Sequence, residues 1–127
     1  MQYLLDTHAL IWYLEDSSHL PKKAKELIDD PDNYVCVSAA SLWEIAIKMS
    51  LCKLKLDLGL DELFKIIADS DFVAMQIENK HLLKLLGLPF IHKDPFDRLL
   101  IATAISEELT IISGDENIQR YGMAWTW

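Results

Sequence analysis

No stretch of this 127-residue chain stays apolar for the roughly 18 to 20 residues that cross a bilayer as a helix, so a membrane-spanning helix is excluded. The first residues lack a charged segment followed by an apolar core and a small-residue cleavage site, and a cytoplasmic protein with no membrane partner is expected. Cysteine is scarce. Cys36 and Cys52 lie far apart in apolar segments, with no C-x-x-C and no paired histidines, which leaves neither a disulfide framework nor a zinc site. Basic residues are outnumbered, 12 against 20 acidic ones for a formal net charge of −8, which argues against holding nucleic acid through a broad basic surface. The same balance is compatible with a nuclease whose acidic pocket is loaded with divalent metal, and it suits a basic protein partner. Internal repeats, linkers and low-complexity segments are absent too, so residues 1–127 read as one domain, long enough to bury roughly two thirds of its unfolded surface.

What is present is organised around His92-Lys93-Asp94-Pro95-Phe96-Asp97-Arg98-Leu99-Leu100-Ile101-Ala102. Asp94 is a good helix N-cap, and Pro95 suits the first helical position, where its missing N–H has no partner in any case. Asp97 then falls in the first turn, near the positive end of the helix dipole. Leu99 to Ala102, Ala104 and Ile105 are apolar on nearly every side, which predicts a central, buried helix. Taken alone, Asp94 and Asp97 read as a cap and a favourable first-turn charge, and it is the carboxylates elsewhere in the chain that give them a functional reading.

Before this stretch, Tyr3-Leu4-Leu5 predicts a strand that ends at Asp6, followed by a helix over residues 7–14; Asp6 is a functional carboxylate or only that helix's cap. Residues 21–29 predict a second helix with Ala24, Leu27 and Ile28 inward. Tyr34-Val35-Cys36-Val37 predicts a buried strand, and Ser38-Ala39-Ala40-Ser41-Leu42-Trp43-Glu44 a second strand-to-helix junction. Glu44 is turned from the most apolar face of this helix. It is read as a site residue, as a capping-box partner of Ser41, or as a surface pair with Lys48. Leucines alternate over residues 51–60 with a period of two, predicting an extended edge or flap that serves as a partner or dimer surface, or packs on the domain. Asp61 is expected to cap a helix to about Asp69. A strand over 72–77 and a leucine-rich helix over 78–86, stopped by Gly87 and Pro89, lead back to the central stretch. Beyond it, Thr110-Ile111-Ile112-Ser113 predicts a strand ending at Asp115, and residues 123–127 a final strand.

Alternating strands and helices argue for a parallel sheet covered on both faces, with every strand-to-helix junction on one edge. Asp6 and Asp115 lie just beyond strand ends and Glu44 in the following helix, whereas Asp97 opens a helix that leads into a strand, so its arrival at that edge is the least constrained. Three or four carboxylates gathered without a counter-ion raise one another's pKa and force protonation. A bound Mg²⁺ or Mn²⁺, which prefers oxygen ligands, removes that penalty and suits phosphodiester hydrolysis.

These residues resemble the PIN-domain nucleases, and within them the VapC-like toxins of toxin–antitoxin pairs. The matching pieces are Leu4-Leu5-Asp6-Thr7-His8, Ser38-x-x-Ser41-Leu42-Trp43-Glu44, the run from His92 to Ala102, and Ile112-Ser113-Gly114-Asp115, in family order over essentially the whole chain. The resemblance implies a three-layer α/β/α sandwich with a central, mostly parallel sheet of four to five strands. It further implies a metal-dependent endoribonuclease in which Asp6, Glu44, Asp97 and Asp115 are the catalytic and metal-binding acids, with Mg²⁺ or Mn²⁺ as cofactor. Ser113 stands where many relatives have threonine and keeps the hydroxyl beside Asp115. Asp94 belongs to the outer shell of the metal or only caps its helix. Lys48, Lys93 and Arg98 are candidates to position the RNA backbone, with Arg98 alternatively paired to a carboxylate. A homodimer and a cognate antitoxin are the implied partners.

Two other aspartate-bearing α/β classes fit less well. A phosphoacceptor receiver domain needs adjacent acids after the first strand and a late lysine, but Asp6 is followed by Thr7-His8 and no lysine follows Lys93. A haloacid-dehalogenase-like phosphatase needs an aspartate where His8 stands. The remaining alternative is a PIN-like module that binds a partner and does little chemistry.

Overall fold

A computed structural model describes residues 1–127. Neighbouring strand residues are buried together, Leu4 with Leu5, Val35 with Cys36 and Val37, Ile111 with Ile112, so the sheet is covered on both faces, as parallel sheets are. In chain order the elements are β1 (Gln2–Leu5), α1 (Thr7–Leu14), α2 (Lys22–Asp29), β2 (Tyr34–Ser38), α3 (Ala39–Ser50), α4 (Leu60–Asp69), β3 (Val73–Met75), α5 (Asn79–Leu86), α6 (Pro95–Glu107), β4 (Thr110–Ile112), α7 (Glu116–Gln119) and β5 (Trp125–Thr126). All five strands run parallel in the order β3-β2-β1-β4-β5, with Leu4 opposite Cys36 on one side and Leu5 opposite Ile112 on the other.

The period of two sorts these strands into two cores. Tyr3, Leu5, Val35 and Val37 face Leu10 of α1, Ala24 and Ile28 of α2, and Leu63 and Ile67 of α4. Leu4, Cys36 and Ile111 face Leu100, Ile101 and Ala104 of α6 and Ile118 of α7. The result is the expected three-layer α/β/α sandwich. The side chains of Leu100 and Ile101 are fully buried at the centre of the second core, so truncating either to alanine costs about 2–5 kcal/mol.

Two local expectations change. Residues 51–59 form no strand; Leu54, Leu56, Leu58 and Leu60 pack against the first core, so the alternation comes from a loop laid across apolar surface and not from a free partner edge. The N-cap of α4 is Gly59, while Asp61 sits inside its first turn, where it and Glu62 complement the dipole.

The strand order changes direction between β1 and β4, since the chain first builds outward through β2 and β3 and then returns to the other side of β1. In open parallel sheets the crevice at such a switch point, beyond the strands' carboxyl ends, is where ligands bind. Asp97 is carried there by topology after all. α6 feeds β4 through only Glu108 and Leu109, so its C-terminus lies at the strand's start and its N-terminus, thirteen residues and about 20 Å away, at the far edge.

Candidate functional site

Asp6 and Asp115 flank the β1–β4 crevice, and both are helix N-caps. Asp6 accepts from the Ala9 N–H at 2.6 Å, and Asp115 from the Asn117 N–H at 2.8 Å. The crevice is closed at its base by the Asp6 N–H, which donates to the Ile112 carbonyl at 3.2 Å. Capping therefore fixes each aspartate without settling whether it also does chemistry, since one oxygen of each carboxylate serves as the cap. Ser113 joins the two, its Oγ accepting from the Asp115 N–H at 3.0 Å while its hydroxyl supports the Asp6 carboxylate.

Glu44 reaches the site because α3 packs on both α1 and α6. The Thr7 hydroxyl donates to Ser41 Oγ at 3.0 Å, tying the starts of α1 and α3 together. The helix cap is Ser38, whose Oγ accepts from the Ala40 N–H, so Ser41 and Glu44 form no capping box. The pairing with Lys48 is present, Glu44 Oε2 meeting Lys48 Nζ at 2.6 Å, but Glu44 itself is 3% exposed and its Oε1 is buried without any hydrogen-bond partner, so the pair reaches the surface only through the lysine.

Asp97 is strongly perturbed. Burial pushes its pKa up to about 6, and the charges of Asp94, Asp115 and Glu44 push the same way against a hydrogen bond from His92. His92 Nε2 lies 2.9 Å from Asp97 Oδ2. Asp6 is likewise raised, by burial foremost, with Asp115 adding to it and Ser113, Ala9 and His8 opposing. Asp6 thus senses Asp115, and Asp97 senses both Asp115 and Glu44, so the four acids expected from the sequence form one electrostatically linked group. The ligand atoms of His92, Asp97 and Asp115 lie within 4.8 Å of one another.

The secondary residues divide. Asp94 Oδ1 accepts from the Phe96 and Asp97 N–H groups, both at 2.9 Å, which is the cap its sequence position predicts. Lys48 joins the cluster as the counter-ion of Glu44, and its ammonium pKa is raised by Glu44 foremost, with Asp94 and Asp97 adding. Lys93 is exposed. Arg98 does not pair with a carboxylate and is poorly placed to hold a backbone: it is 7% exposed, donates to the Pro89 carbonyl at 2.9 Å and the Tyr121 hydroxyl at 3.0 Å, and lies over the Phe90 ring. It clamps the segment leading into α6, and Tyr121 repeats the hold by accepting from the His92 N–H at 3.0 Å.

A cleft of about 340 Å³ opens over Asp6 and Asp115, walled by Trp12, His19 and Trp127. A second cleft, of about 380 Å³, lies near the start of β2 among Tyr13, Asp29 and Phe72 and contains none of the four acids.

The sequence profile of the PIN domain matches residues 3–123. The chain belongs to the PIN domain family. No curated protein matches it in sequence. Among solved structures, this PIN domain is similar to VapBC2 from Rickettsia felis bound to a promoter DNA fragment, with a TM-score of 0.75 at 16% identity, covering 100% of this chain and 99% of that one. It is also similar to VapBC-1 from nontypeable Haemophilus influenzae, with a TM-score of 0.69 at 16% identity over 99% and 97% of the two chains. A toxin–antitoxin complex from Klebsiella pneumoniae matches with a TM-score of 0.57 at 21% identity over 89% and 86%. At these identities the likeness is one of fold.

Two features of the PIN domain site escaped the sequence reading. His92 stood in the quoted motif without a role, although a histidine five residues before Asp97 is close enough to fold back on the first turn. The aromatic wall was signalled only by His8 and Trp12, four residues apart on one helix face, since Trp127 joins them through the β4–β5 pairing.

Proposed function

We propose that this PIN domain is a divalent-metal-dependent endoribonuclease and the toxin of a toxin–antitoxin pair. What supports the nuclease reading is the electrostatic linkage of Asp6 with Asp115, and of Asp97 with Asp115 and Glu44, around the β1–β4 crevice, with Lys48 the ammonium that bridges one of these acids. The residues fit a divalent cation. Glu44 Oε1 is a buried oxygen with no partner, the donors are carboxylates, and the Asp97 pKa is raised by burial first and then by the neighbouring acids Asp94, Asp115 and Glu44.

Asp6, Glu44, Asp97 and Asp115 would hold Mg²⁺ or Mn²⁺. When bound, such an ion supplies Lewis-acid stabilisation of a phosphoryl oxygen and lowers the pKa of water. The chain contributes orientation. His92 holds Asp97 Oδ2, the caps at Ala9 and Asn117 fix Asp6 and Asp115, and Lys48 fixes one oxygen of Glu44 while leaving the other free. Lys93, exposed near the start of α6, remains available to meet the RNA backbone.

The toxin assignment draws on the fold shared with VapBC and toxin–antitoxin complexes. Leu83, Leu86 and Phe90, all more than 70% exposed, give an apolar surface for an antitoxin or a second copy to cover. The binding-only alternative has one observation in its favour, the Lys48–Glu44 bridge, which already neutralises one acid. The deciding experiment is hydrolysis of a panel of structured and unstructured RNAs with Mn²⁺, alongside calorimetric Mn²⁺ titration. Cleavage that falls by about a hundredfold or more in folded Asp6→Asn and Asp115→Asn proteins is expected. Metal uptake with no hydrolysis across the panel selects the binding module.

A further inference from the structure

We propose that the cleft over Asp6 and Asp115 is a stacking subsite for one unpaired nucleobase of single-stranded RNA, adjacent to the bond being cut. This rests on the nuclease reading above and adds what selects the substrate.

The cleft combines an acidic floor with walls of flat rings. The Trp12 indole is stacked with the His19 imidazole at a centroid distance of 5.4 Å and 28° between planes, and its centroid lies 5.9 Å from that of Trp127, tilted by 49°. His8 approaches Trp12 at 5.6 Å. Two of these rings are held by local devices, Trp127 also packing against the first core. Ser17 Oγ accepts from the His19 backbone N–H at 3.1 Å and lies 3.0 Å from Nδ1, fixing the exposed imidazole against Trp12. Gly114, next to Asp115, lies directly under Trp127, where a Cβ would fall 2.5 Å from the indole Nε1. A glycine at that position lets the ring lie on the backbone of the catalytic loop.

An acidic cleft repels phosphate but not the neutral face of a base, and aromatic or imidazole planes bind bases through stacking whatever their sequence. The volume, about 340 Å³, is at the lower end for ligand pockets, enough for a nucleotide and too small for a helix. In a duplex the base faces are already stacked, so only an unpaired nucleotide can enter. Its phosphate then lies near the acids on the floor. Selection of loops and unpaired ends over duplex RNA follows without any base-edge contact.

The test compares wild-type protein binding to a short mixed-sequence single-stranded RNA and to a ribose-phosphate chain of the same length lacking bases, both in Mn²⁺, with hydrolysis of the same RNA followed in parallel. The expected result is a preference of about tenfold for the RNA with bases. Trp12→Leu, which keeps apolar volume against the core, and His19→Ala, at an exposed position, should each reduce it, and Trp12→Phe should restore part. Mn²⁺ affinity should be unchanged in all three. Equal binding of the two chains by wild-type protein, or an undiminished preference in both Trp12→Leu and His19→Ala, overturns the subsite and leaves a partner protein's side chain as the cleft's occupant. Hydrolysis without base preference overturns the subsite alone, whereas base preference without hydrolysis overturns the nuclease reading and leaves the subsite standing.

Discussion

Replacing Asp97 by asparagine should stabilise the metal-free protein at neutral pH, and most of that advantage over wild type should disappear once metal is present. The carboxyl is pushed from 3.8 up to about 6, chiefly by burial and then by Asp94, and only 17% of its side chain is exposed. A folded pKa above the unfolded one means that the folded state binds the proton more tightly. Stability is therefore full below about pH 4, declines as pH rises toward 6, and is flat above. At 1.36 kcal/mol per unit, the loss is about 3 kcal/mol. The neutral amide cannot lose it, so Asp97→Asn should match wild type near pH 4 and exceed it by up to about 3 kcal/mol at pH 7.5, on the order of 10 °C in Tm. Asp6 is also raised and contributes a slope of its own to both proteins, so the observable is the difference between their pH curves in EDTA. Saturating Mn²⁺ should then stabilise wild type, by about 2.7 kcal/mol at a hundredfold excess over Kd, and the variant far less. If the two proteins show the same stability at pH 7.5 in EDTA, or the same gain with Mn²⁺, the clustering of charge at Asp97 has been misread.

Other perturbations separate the roles of the basic residues. Lys48→Met removes the only charge partner of Glu44, whose carboxylate is 4% exposed, so urea denaturation in EDTA should show a loss of about 3 kcal/mol that Mn²⁺ partly restores. Arg98→Lys retains the charge but not the planar fork holding Pro89 and Tyr121, and should cost about 1–3 kcal/mol in the same assay while leaving Mn²⁺ affinity within a few fold of wild type. His81 is fully buried, with Nδ1 accepting from the Glu78 N–H at 3.1 Å and Nε2 at 2.8 Å from Glu107; His81→Leu should loosen α5 from α6, seen as faster amide exchange in α5.

How far the sequence carried this reading depended on whether a residue's partners were local. Asp6, Asp94 and Asp115 each follow a strand or loop and precede a helix, and their caps close within three residues, so both position and orientation were legible. Glu44 was legible as a candidate, but its burial was not, because it is imposed by α6 packing on α3 some fifty residues later. Arg98 misled for the same reason. A cation beside a first-turn aspartate resembles a phosphate holder, and nothing nearby in sequence announces that the Tyr121 hydroxyl, 23 residues on, takes up its guanidinium. Residues 51–60 show the opposite case: a period of two suggested an extended edge or flap, and of the two roles it left open the structure has the packing one, a loop that alternates leucines onto the core because its other side is wet.

The placement of Asp97 joins these local and long-range causes. Its helix is apolar all round because it fills the second core, and that burial fixes the axis of α6 against the parallel strands. The two-residue link into β4 fixes the direction, since a helix entering a parallel strand so tightly must run antiparallel to it. The Asp94 cap and Pro95 then fix the rotation of the first turn, and His92, clamped through Tyr121, fixes the carboxylate itself. The same core that stabilises the fold thereby drives a partly buried carboxyl toward Asp115 and Glu44 at an energetic cost, the local strain expected where a protein's surroundings hold charges together for a ligand.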